Sequence, residues 1–160
     1  MEENWTIARI SEELHRLKSL PHYPLLVVLG LVGMAGAAFC NIFGGGIIEM
    51  SVAFIATVAG LFTRQEAMKK KFNPYLCVFF AAFIASFIAG LAQLFQIGAE
   101  PDKALATSVL FLVPGIPLIN SVTDLMDGNI QNGMVRAMNG LMIAFSIAMG
   151  LLAAKMILNF

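Results

Sequence analysis

The chain has 160 residues, 59% of them hydrophobic and 12% charged, with a mean hydropathy of +0.82, whereas a soluble domain carries about twice that charged fraction. A small soluble globule is excluded, and ten basic residues balanced by ten acidic ones leave no cationic footprint for nucleic acid. Cys40 and Cys77 both sit in apolar runs and form neither a disulfide framework nor a metal-ligand spacing, so no metal and no cofactor is expected.

Residues 1–22 are polar and charged, with Ile7, Ile10, Leu14 and Leu17 recurring at three- and four-residue intervals. That is an amphipathic helical pattern, ended by Pro21 and Pro24. We expect a cytosolic leader helix lying on the membrane surface or against a partner domain, and no cleaved signal peptide.

Five apolar runs follow, at about 24–43, 47–63, 74–97, 103–123 and 134–158. Each is near the roughly 20 residues a helix needs to cross a bilayer core of about 30 Å. None alternates apolar and polar with period two, and an open sheet cannot satisfy its backbone in lipid. The expected fold class is therefore all-α, a polytopic membrane protein with five transmembrane helices spanning residues 23–160. Arg9, Arg16, Lys18, Arg64, Lys69, Lys70, Lys71 and Arg136 fall on one side of these spans and only Lys103 in the turns of the other. By the positive-inside rule the N-terminus is cytoplasmic and, with an odd span count, the C-terminus outside; Lys155 snorkels to the interface.

The fourth run is interrupted at Pro114-Gly115-Ile116-Pro117. Proline removes an intrahelical hydrogen bond and clashes with the preceding turn, so a break is expected, with carbonyls freed near residues 110–113 and a new helix starting near Pro117 or Leu118. Its N-terminal amides would then face the break and attract an anion; a plain proline kink accounts for the same residues. Asn120, Asp124 and Asp127 follow at i, i+4 and i+7, on one face if the helix continues. A carboxylate at membrane depth costs roughly 2.5 to 3.5 kcal/mol on insertion scales, so Asp124 is a candidate proton carrier or counter-ion for an amine. Asp127, before Gly128 and Asn129, also reads as a solvated turn residue. Arg136 is a topology anchor or an ion-pair partner for Asp124 or Asp127. Glu49, behind Gly44-Gly45-Gly46, complements a helix N-terminus and is a further candidate for proton coupling or charge balance. Glycines in the first and fifth runs permit close helix contact. There is no G-x-S-x-G or H-E-x-x-H, and both histidines, His15 and His22, lie in the leader, so an enzyme is not expected.

Several of these residues also carry a family resemblance. Phe43-Gly44-Gly45-Gly46 with Ser51-Val52-Ala53-Phe54, then Leu112 to Leu118 with Asn120 and Asp124, then Gly133 and Arg136, and the leader ISEELHRLKSLPHYP, together resemble the membrane half of the threonine/serine exporter (ThrE) family. The resemblance implies one five-span half of a ten-span bacterial inner-membrane antiporter that exports threonine or serine, coupled to protons, by alternating access. The other half comes from a second five-span subunit or another copy of the chain. It also implies a substrate site at Pro114, Gly115, Pro117, Asn120 and Asp124, with Asp127, Arg136 and Glu49 balancing charge. Alternatives are an exporter of small dicarboxylates such as succinate, or a non-transporting membrane scaffold. The family carries a sizeable polar region before the leader, so this chain is expected to be a short form or a truncated one.

Overall fold

In the computed structural model, Arg9, Glu12, Leu14, Arg16 and residues 23–159 are described, and among them there is no strand. The four leader residues are helical and exposed; the amphipathic pattern expected over 1–22 otherwise lies outside the described residues. The elements are α1 (Leu25–Ile42), α2 (Ile47–Lys69), α3 (Pro74–Leu94), α4 (Pro101–Ser108), a 3-10 turn (Leu110–Leu112), α5 (Gly115–Met126) and α6 (Ile130–Leu158). Helices α1, α2, α3 and α6 are each long and apolar enough to cross a membrane. The pair Pro101–Leu112 and Gly115–Met126, bent by 58° at the break, is together long and apolar enough for a fifth, either as one broken span or as a re-entrant loop.

Local chemistry sets the boundaries. Asn73 caps α3 by accepting from the Tyr75 N–H at 2.9 Å, and Pro74 occupies the first position, where its missing N–H has no helical partner to lose. Helix α2 runs on to Lys69, past the apolar stretch, with Lys69 and Glu66 paired at 2.5 Å on its exposed last turn. Helix α6 begins at Ile130 and has 29 residues, more than the roughly 20 a bilayer core requires, so its charged first turns extend beyond the apolar stretch. Gly44, at φ 81°, makes the reversal between α1 and α2, a conformation that costs glycine little.

The break starts a new helix earlier than the prolines suggest. Helix α5 begins at Gly115, with Pro117 as its third residue, because the first turn of a helix has no use for its own N–H groups. The carbonyls before the break are not all left free, since Val109 accepts from Leu112 at 3.0 Å, Leu110 from Val113 at 3.1 Å and Val113 from Gly115 at 2.9 Å.

Packing follows small residues. Helix α3 is central, with α2 and α6 on its flanks, α1 outside α2, α5 outside α6, and α4 lodged among α1, α2 and α3. Its Ala81, Ala82, Ala85 and Ala89 are fully buried. A Cβ on Gly60 of α2 would lie 2.9 Å from the Ala81 carbonyl and 3.0 Å from Phe111. One on Gly150 of α6 would lie 2.6 Å from the Phe79 carbonyl and 2.8 Å from the Ala82 methyl. Backbones this close are how helices gain contact where lipid is as apolar as the side chains.

Candidate functional site

The two halves of the broken span meet different surroundings. Ala104, Leu105, Thr107 and Ser108 of α4 are buried, whereas in α5 only Ser121 is. Ser121 donates to the Gly133 carbonyl at 2.9 Å, and Gly133 and Gly140 of α6 admit Leu125 and Leu118. This lays α5 along the first half of α6 and places one polar pair across the junction: Arg136 Nη1 donates to Asp124 Oδ2 at 2.6 Å. The Asp124 side chain is 19% exposed and that of Arg136 50%. The pair leaves the other guanidinium donors of Arg136 on its open side.

The other candidates are placed as follows. Pro114 is buried, Gly115 and Pro117 are half-buried, and Asn120 is exposed one turn before Asp124. Asp127 follows the last residue of α5, where its N–H donates to the Thr123 carbonyl at 2.9 Å. Gly128 then takes φ 80°, so the helix ends at Asp127, which lies in the turn. The start of α5 offers an anion little, because Gly115 already donates to Val113 and Pro117 has no N–H, leaving at most the amide of Ile116.

Glu49 is not brought to this cluster. It lies in the first turn of α2, 3% exposed, where one oxygen accepts from the Glu100 N–H at 2.9 Å. From there to Asp124 the broken span runs about 35 Å of helical path at 1.5 Å per residue. Beside it Lys103 donates to the Gly44 carbonyl at 3.0 Å and pairs with Glu100 at 2.5 Å, while Gln93 and Asp102 hydrogen-bond nearby. Among the described residues no group of His, Cys, Asp and Glu could hold a metal ion.

Sequence reasoning did not single out two residues beside the ion pair. The Tyr75 hydroxyl at the start of α3 donates to the Asn139 side-chain oxygen on α6 at 3.0 Å. Both line a cleft of about 590 Å³ with Arg136 and a second of about 270 Å³ with Arg64. Asn139 stands three residues after Arg136, which on a helix is the same face, and that spacing is the signal a sequence reading could have used.

Residues 1–158 match the family described as "Putative threonine/serine exporter". The chain is 32% identical over 146 residues to "Probable succinate transporter subunit YjjP" of Klebsiella aerogenes, covering 91% of this chain and 56% of that protein. It is 34% identical over 133 residues to the protein of the same name from Escherichia coli K12, covering 82% and 52%. The chain thus spans about half the length of the curated relatives it matches, and no solved structure matches it. An all-helical bundle with a proline-broken span and a family match over nearly its whole length make this chain a member of the threonine/serine exporter (ThrE) family, a multi-pass membrane protein of a transporter family.

Proposed function

We propose that the chain is one half of a secondary transporter that exports a small carboxylate-bearing metabolite across a bacterial inner membrane by alternating access, with proton exchange as the driving step. The observation that carries this reading is the ion pair between Asp124, on the far half of a broken span, and Arg136. Interrupted helices with ionisable groups are where transporters place substrate and coupling sites. Protonation of Asp124 would release Arg136 for a substrate carboxylate, and return of the proton to solvent would restore the pair and expel the substrate. Asn120, one turn away, would supply a neutral hydrogen bond. In this reading the N-terminus is cytoplasmic, the C-terminus outside, and the second half of the pathway is a further five-span subunit or an inverted copy.

Two substrate classes remain in view. A dicarboxylate of the succinate type is favoured, because Asp124 is occupied by Arg136 and the start of α5 offers few amides, so cationic side chains set the preference. The names of the two relatives point the same way. Threonine or serine, first in order on the resemblance alone, is the second reading, supported by the family description; it needs a free carboxylate for the ammonium group.

The test is counterflow of labelled succinate and labelled threonine into liposomes, with the chain alone and with a second family half. Asp124→Asn, which leaves Arg136 free but removes the titrating group, is expected to keep counterflow and to cut uptake driven by a proton gradient by more than about tenfold, while the protein still inserts and assembles. Unchanged gradient-driven uptake would refute the role of Asp124, and threonine carried in preference to succinate would select the second reading. Absence of all counterflow in both preparations would leave a membrane scaffold.

A further inference from the structure

Arg64 lies in α2 a little over one turn before the Lys69, Lys70 and Lys71 cluster. Its Nε is buried and has no hydrogen-bond partner, and among the described residues Arg64 enters no ion pair. It faces a cavity of about 270 Å³ whose wall is otherwise apolar, from Met68, Val78 and Ile143, apart from the hydrogen-bonded Tyr75 and Asn139. A guanidinium presents a planar fork of donors that fits a carboxylate with two parallel hydrogen bonds. The buried, unpaired Nε is a cost that a ligand would relieve, and the half-buried side chain keeps its terminal nitrogens within reach of one. The lining contains a cation, a hydroxyl and an amide but no acidic side chain. Tyr75 and Asn139 also line the wider cleft that holds Arg136, so one polar pair stands between two arginines, of which only Arg136 is paired.

We propose that Arg64, with Tyr75 and Asn139, forms a second anion site, a vestibule at the lysine-rich end of the bundle that holds the carboxylate of the substrate before it reaches Arg136 and Asp124. This rests on the carboxylate-transport reading above. A dicarboxylate suits it best, since one carboxylate can sit on Arg64 while the other lies toward the Tyr75 and Asn139 pair.

The experiment is modification of arginine by phenylglyoxal in the full chain in phosphatidylcholine nanodiscs, followed at Arg64 by peptide mass spectrometry. Succinate at ten times its half-saturating concentration should slow the reaction at Arg64 about tenfold, by simple occupancy, and succinamide, its uncharged analogue, should not. Equal protection by succinamide, no protection by succinate, or failure of the reagent to reach Arg64 at all would overturn the proposal. So would protection by phosphatidylglycerol nanodiscs alone as strong as that by succinate, which would make this a lipid-phosphate contact. Protection without counterflow would keep the site and remove the transport reading. Counterflow without protection would remove the site alone.

Discussion

The two halves of the broken span differ in what they are built to do. Before the break, α4 is enclosed by α1, α2 and α3, and its Thr107 and Ser108 hydroxyls turn back onto the carbonyls of Lys103 and Leu105 at 2.8 Å. Thr57, across from it on α2, is fully buried. Beyond the break, α5 leans chiefly on α6 and leaves Ile116, Ile119, Val122 and Met126 exposed. A buried polar group must be satisfied within its own helix or by a close neighbour, and α4 does this, so it serves as scaffold. Beyond the break the polar contact is an ion pair left half open, and α5 supplies its carboxylate; in the proposed reading this is the binding site. The proline break separates an enclosed helix from an open one.

Substitutions at three positions would break or sharpen this contrast. The largest effect is expected at Gly60, which seats α2 against α3 and the 3-10 turn. Gly60→Leu should destabilise the bundle by about 1–3 kcal/mol through overpacking, read as a lower midpoint in thermal unfolding in detergent. An unchanged midpoint would mean that the scaffold half is looser than its close contacts imply. A smaller loss, about 1 kcal/mol for one buried hydrogen bond, is expected for Ser121→Ala, which removes the bond to Gly133. Hydrogen exchange should then quicken in α5 while α3 keeps its protection; equal quickening in both would deny that α5 is the separable half. The smallest effect is expected at Gly115, where nothing lies within 4 Å of an added Cβ. Gly115→Ala should shift stability by no more than about 0.5 kcal/mol, and a large loss would show that the break itself is closely packed.

Much of this was legible in the sequence because it is local. Span number followed from the lengths of apolar runs, and the break from Pro114 and Pro117. The Asp124 and Arg136 pair was open to reading because only twelve residues and one turn separate the two. Reading stopped where partners are remote. Glu49 is tied to Glu100, 51 residues away, and no periodicity in either helix announces that bond. Tyr75 and Asn139 are 64 residues apart. Arg64 looked like an orientation marker because its character depends on what is missing around it, and only the packed helices reveal that.

The two ties at the Glu49 end are coupled through the chain. Glu49 bonds to Glu100 across 51 residues and Lys103 to Gly44 across 59, joining the same two stretches of chain. Closing the first loop costs chain entropy that grows only slowly with length, and once it is closed the second adds little further cost. The two bonds therefore behave as a single latch: losing either lowers the gain that holds the other, and the α3–α4 turn should detach from the start of α2 in one step.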